Sequence, residues 1–212
     1  YRISKTNELP LVKGGIGNII HTDPNKIEPN KFTEELKLLT IGSPVGKNST
    51  VMVGKDKVYI FGGKQTESVY ASSNKVYEID FSDSTYPKYK ELASTFFPRA
   101  NADATILPNG NVFLNGGTAY NDLKFSIFTP EIYNIKTQMS TKLNDGYFRR
   151  NYHSTALLLP NGSILISGGD VWNSEIFYPP YLFEKDGNNN TVLAKRPLIS
   201  KINKKLNRGI AE

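Results

Sequence analysis

The chain has no cysteine among its 212 residues. Disulfides, thiolate metal sites and cysteine nucleophiles are therefore excluded, while the compartment stays open, because secreted proteins also fold without disulfides. Histidine is almost as scarce. Only His21 and His153 are present, and Trp172 is the single tryptophan. No apolar run approaches the roughly 18 residues of a membrane span, and no signal peptide is visible. The first residue is tyrosine, as expected of a processed form or a fragment. Helical patterning is nearly absent. The segment from Asn30 to Thr40, "NKFTEELKLLT", fits either a short helix or an outer strand, and the strand is preferred because the repeat described below needs one there. No phosphate-binding loop, dinucleotide fingerprint or serine elbow occurs.

What the chain does have is 12 Tyr, 11 Phe, 17 Gly and 12 Pro, the profile of many short strands joined by turns. The net charge is +6 and the pI about 9.3. The lysines are scattered, often beside asparagine, which describes a solvated surface rather than a nucleic-acid site. The one basic cluster, Lys201, Lys204, Lys205 and Arg208, belongs to an interrupted segment. Nucleic acid is thus not an expected partner.

Three windows align without a gap: Thr50 to Gly63 ("TVMVGKDKVYIFGG"), Ala104 to Gly117 ("ATILPNGNVFLNGG") and Ala156 to Gly169 ("ALLLPNGSILISGG"). A period near 50 with a double glycine after an apolar strand is a kelch pattern. In each window an apolar strand reaches a tight turn, where Gly in "PNG" supplies a positive φ. A second apolar strand returns beside it, and near-continuous apolar runs imply burial on both faces. The Gly-Gly pair lets backbones pass where no Cβ would fit. A third strand follows ("KVYEID", "EIYNIK", "SEIFYPP"), then a less regular fourth ("YKELAST"). Four antiparallel strands per repeat make a propeller blade. The expected fold is therefore all-β, a partial kelch-type β-propeller of about three four-stranded blades. Residues 1–41 are expected to end an earlier blade, 42–195 to form the blades, and 196–212 to enter a further domain. Rings close with about four to eight blades, so further blades or another copy of the chain are expected to cover the bare faces.

The ordered run "RRNYHSTALLLPNGSILISGGD…NSEIFYPPYLF…KRPLIS", preceded by "FPRANADATILPNGNVFLNGG", resembles the last propeller blades of the galactose oxidase and glyoxal oxidase family, the copper radical oxidases. The resemblance covers about Leu39 to Ser200. It implies a seven-bladed ring followed by a C-terminal β-sandwich, an extracellular enzyme, and oxidation of a primary alcohol or aldehyde by O₂ to give hydrogen peroxide. It implies a copper cofactor bound by two tyrosines and two histidines. Carried over, Tyr152 is the axial tyrosine and general base on the substrate alcohol, and His153 is an equatorial nitrogen ligand. A phenolate and an imidazole with open positions suit copper. Neighbouring side chains in a regular strand point to opposite faces, so both rings can reach one metal only if the backbone is irregular there. The lead-in around Gly146 is the expected irregularity.

The chain departs from the family in having no cysteine for the cross-linked radical tyrosine. His21 matches no ligand position and is expected in a loop. Half of a copper site and an inactive isolated chain follow, with a small alcohol, aldehyde or carbohydrate as the parent's substrate. The rival reading is a non-catalytic kelch module that binds a glycan or a protein. Trp172 is expected to pack, Asp103 and Asp170 to lie too far apart for paired-carboxylate work, and the sequons at Asn48, Asn161 and Asn189 to reflect asparagine abundance.

Overall fold

The computed structural model describes residues 9–13, 18–22, 46–64, 71–82, 88–120 and 122–196, the first two stretches by backbone alone. Two compact units divide the chain, Tyr1–Phe177 and Tyr178–Glu212. The division falls upstream of the 195/196 boundary read from the sequence. Asn30 to Thr40 and the segment 197–212 lie outside the described residues.

All the described regular structure is β, apart from two single 3-10 turns at Leu123–Phe125 and Pro180–Leu182. In the first unit β1 (Leu9–Lys13) pairs with β2 (Asn18–Thr22). Three larger antiparallel meanders follow, one for each aligned window. Sheet I runs β3 (Ser49–Gly54), β4 (Lys57–Phe61), β5 (Val76–Asp80), β6 (Lys88–Leu92). Sheet II runs β7 (Ala100–Ile106), β8 (Val112–Thr118), β9 (Glu131–Asn134), β10 (Met139–Lys142). Sheet III runs β11 (Ser154–Leu158), β12 (Ile164–Gly168), β13 (Glu175–Phe177). The "PNG" turns carry the expected positive φ, +82° at Gly110 and +81° at Gly162. Among the described residues sheet III has three strands rather than four. Pro179 and Pro180 follow β13 almost at once, and proline cannot donate to a ladder.

The second strand of each meander is the most buried, and in β8 every residue is buried. Burial on both faces does not extend to the first strands, where β3 alternates and β11 is half exposed. Tyr59, Phe61, Val76, Val112, Leu114 and Tyr133 form the core between sheets I and II, with Phe61 edge-on to Tyr133 at 5.3 Å. Phe113 stacks on Phe177 at 4.7 Å between sheets II and III. The first strands are neighbours in series, β3 beside β7 and β7 beside β11. Sheets therefore succeed one another around their first strands. On the far face of sheet III the cross-strand row Leu157 and Ile176 is exposed.

The second unit holds one described hairpin, β14 (Phe183–Lys185) and β15 (Thr191–Leu193). The Asp186 carboxylate accepts the Asn188 and Asn190 amides at 2.9 and 2.8 Å and so shapes its turn.

Candidate functional site

Each meander is entered through the same backbone device. Lys47, Asn101 and His153 stand three positions before the aligned windows, and all three adopt positive φ, at +55°, +56° and +64°. Non-glycine residues rarely do so, although Asn and His are enriched among those that do. In sheet II the register runs unbroken across this residue: Ala100 pairs with Thr118 and Ala102 with Gly116, so Asn101 stands opposite Gly117 without an extra residue.

Upstream of the left-handed residue a buried arginine fixes the entry. In sheet II, Arg99 donates to the Gly116 and Thr129 carbonyls and pairs with Glu131 at 3.1 Å. Both side chains are almost fully buried, and Glu131 also accepts from the Phe96 and Phe97 amides and from Ser140. In sheet III, Arg150 donates to the Gly168 carbonyl at 2.8 Å and the Asn173 carbonyl at 2.7 Å, and pairs with Glu175 at 3.2 Å. Arginine's rigid fork suits this bridging of strands. The arginine carbonyls also join sheet to sheet. Gly63 donates to the Arg99 carbonyl at 2.6 Å and Gly117 to the Arg150 carbonyl at 2.8 Å. A Cβ on Gly116 would lie 2.5 Å from the Arg150 carbonyl oxygen. The first two Gly-Gly pairs are thus inter-sheet joints, while the third, Gly168–Gly169, packs closely against the entry to its own sheet at His153 and Asn151.

Sheet III differs from sheet II at one point. Between Arg150 and the aligned window it holds one residue more than sheet II holds after Arg99. Asn151 to Ser154 form a β-turn closed by the Ser154 amide on the Asn151 carbonyl at 2.8 Å. Tyr152 and His153 are its central residues, and the left-handed His153 occupies the place where such turns favour Gly or Asn. The two rings lie side by side, centroids 3.8 Å apart and planes 32° apart. Tyr152 is 59% exposed and His153 is exposed as well. The irregularity that lets neighbouring rings share a side is therefore at His153 itself; Gly146 has an ordinary φ.

Behind the turn, on β7 of the neighbouring sheet, the Asp103 carboxylate accepts a 2.7 Å hydrogen bond from the Ser154 hydroxyl. Burial pushes this carboxyl up to about 6, opposed by the Ser154 bond and by the charge of Arg150. Beside the turn, the loop from β12 to β13 is tied down by Arg150 at both ends and carries Trp172. Trp172 is 102% exposed, which corrects the expected packing role. It stands on the six-residue loop 169–174 between β12 and β13. His21 is also placed differently from expectation, in β2 opposite Pro10 rather than in a loop. Among the described residues no group of three or more His, Cys, Asp or Glu is placed to hold a metal. The Tyr152 and His153 rings are in contact, and phenolate and imidazole are both ligand types that suit copper.

No protein-family model matches the chain. It is 30% identical over 161 residues to galactose oxidase of Gibberella zeae, covering 69% of this chain and 23% of that protein. To aldehyde oxidase GLOX of Vitis pseudoreticulata it is 29% identical over 128 residues, covering 50% of this chain and 24% of the relative. A fungal alcohol oxidase of the AA5 family, solved in complex with copper, superimposes with a TM-score of 0.65 at 28% identity, over 73% of this chain and 35% of that one. These similarities support the galactose oxidase and glyoxal oxidase family for the chain. The chain spans about a quarter of the length of these two curated relatives.

In this galactose oxidase-like chain the sequence already singled out Tyr152 and His153. It did not single out Arg150, Glu175 or Asp103 as their support. The paired stretches "FPRAN…PEIYN" and "YFRRN…SEIFY" carried the signal for the arginine–glutamate clamps. Asp103 had no comparable signal, since the aligned residues Ser49 and Thr155 are hydroxylic. No described helix is long and apolar enough to cross a membrane.

Proposed function

We propose that the chain is the kelch-propeller portion of an extracellular copper radical oxidase that oxidises a primary alcohol or aldehyde with O₂, giving hydrogen peroxide. One observation carries the reading: the Tyr152 and His153 rings are held side by side and exposed on a left-handed turn at the start of β11. When bound, copper supplies the one-electron and O₂ chemistry that side chains lack. His153 would hold it through a neutral imidazole nitrogen. Tyr152 would hold it as phenolate and take the hydroxyl proton of the substrate alcohol, since a nearby cation favours the phenolate form. Exposure of Tyr152 leaves its oxygen open to a substrate, as a general base requires. The remaining ligands are expected from outside the described residues.

The experiment is a copper determination and peroxide assay on the copper-loaded intact parent, which supplies the remaining ligands. His153→Ala is expected to abolish tight copper binding. Tyr152→Phe is expected to lower turnover by about 10²–10⁴, the usual contribution of a positioned base, with the bound metal retained. Full copper occupancy and activity in His153→Ala would overturn the reading. A second reading, a non-catalytic kelch module that binds a glycan or a protein, is favoured by the gathering of only two metal donors among the described residues. It predicts unchanged ligand binding after copper chelation.

A further inference from the structure

The turn that carries Tyr152 and His153 is an unfavourable piece of backbone. A residue with a Cβ at φ +64° persists only where the surroundings over-determine it. On its upstream side Arg150 is 1% exposed and makes three bonds within sheet III. Downstream, the turn's own side-chain anchor is Ser154, which ends on a different sheet at Asp103 of β7; two residues further on the Thr105 hydroxyl of β7 donates to the Ala156 carbonyl. The corresponding joint between sheets I and II is made without an acid. There the Ser49 hydroxyl donates to the main-chain carbonyl of Ala102. Elsewhere around the turn polar groups stand unsatisfied: the Arg150 Nε and the Asn151 Oδ1 are buried without a partner among the described residues, and so is the Nδ2 of Asn115, which pairs with Asp103 across β7 and β8. Even a half-buried carboxylate gives up part of its hydration, so its presence here asks for a role that the hydroxyls at the aligned positions do not fill.

We infer that Asp103 is a positioning residue for Tyr152 and His153, holding Ser154 from the neighbouring sheet so that both rings remain on the same side of the turn. This rests on the copper-site reading only for its metal-binding consequence. Residues that orient a ligand typically change metal affinity by about 10–100-fold when removed. Asp103→Ala and Ser154→Ala each delete the inter-sheet bond. Asp103→Asn keeps an amide oxygen that can accept it.

The test is read on the full chain without metal by proton NMR. The His153 ring protons lie against the Tyr152 ring and are displaced upfield; His153→Ala assigns them, and His21 serves as the internal control. The expected result is loss of that displacement in Asp103→Ala and Ser154→Ala, with retention in Asp103→Asn. Retention in all three, or loss in all three, would overturn the inference. Should Asp103→Ala fail to fold, Ser154→Ala and Asp103→Asn give the same contrast. A parallel Cu²⁺ titration, followed by quenching of the sole tryptophan Trp172, is expected to show affinity lowered about 10–100-fold in the two deleting variants and little changed in Asp103→Asn. Wild-type chain that takes up no Cu²⁺ but shows the NMR contrast would sink the copper reading and leave the positioning role standing.

Discussion

The joint between sheets II and III can be broken by a single methyl group. Gly116 and Gly110 both have positive φ, +67° and +82°. Each change to alanine therefore carries the same left-handed penalty of about 1–2 kcal/mol. They differ in what the new Cβ meets. At Gly110 there is nothing within 4 Å. At Gly116 the Cβ would stand 2.5 Å from the Arg150 carbonyl oxygen and 2.6 Å from the Arg150 Cβ. Neither atom is the free end of a flexible chain, and Arg150 is itself clamped at three points. Sheet III must retreat, at an overpacking cost of about 1–3 kcal/mol. The bond from the Gly117 amide to the Arg150 carbonyl, now 2.8 Å, goes with it, at about 1 kcal/mol. Gly116→Ala should thus destabilise by about 3–6 kcal/mol and Gly110→Ala by about 1–2 kcal/mol. Urea unfolding of both variants measures the difference directly. Equal costs, within about 1 kcal/mol, would refute the close-approach account of the double glycines.

Arg99→Met should destabilise by about 3–5 kcal/mol, because it strands the fully buried Glu131; adding Glu131→Gln should recover part of the loss, and a single-variant cost below about 1 kcal/mol in the same urea assay would show that the clamp is dispensable. Asp103→Asn should change the pH dependence of stability. The folded carboxyl titrates at about 6 against an ordinary 3.8, so the native state binds the extra proton and wild-type stability falls as pH rises from about 4 to about 6. Above that window the variant should be the more stable by on the order of 3 kcal/mol, and below about pH 4 the two should converge. Parallel slopes across the window would show that Asp103 titrates normally.

The three meanders were legible because their signals are local. "PNG" and "GG" state a backbone conformation at the residue itself, and the structure honours them at Gly110, Gly162, Gly116 and Gly168. The all-β class followed from the same runs. The third and fourth strands are less locally written. A fourth strand was expected in sheet III, but the prolines after Phe177 end the meander first. The clamps were unread for a different reason. Arg99 and Glu131 lie 32 residues apart, and only the folded register brings them together. A side chain's exposure is also non-local, which is why Trp172 was expected to pack. The left-handed backbone at His153 was readable, because Asn101 at the aligned position is a residue type prone to left-handed φ.

That alignment also separates a functional His153 from a structural one. Stability alone would place asparagine or glycine at φ +64°, as Asn101 shows at +56°. Among the described residues the His153 ring touches Tyr152 and makes no hydrogen bond or ion pair. His153→Asn therefore gives up a ring contact of about 0.5–1.5 kcal/mol and gains a residue better suited to the left-handed region. The two effects are similar in size and opposite in sign. The variant should unfold within about 1 kcal/mol of wild type, keep the turn bond from the Ser154 amide to the Asn151 carbonyl, and lose Cu²⁺ binding. Thermal unfolding and a Cu²⁺ titration on the same sample measure both. Destabilisation beyond about 2 kcal/mol would mean that the imidazole holds the turn together, and the case for His153 as a metal ligand would then lose its physical basis, since a structural demand would explain its presence. An unchanged fold with the metal gone leaves the chemistry of the imidazole as the reason that a histidine occupies a position suited to asparagine.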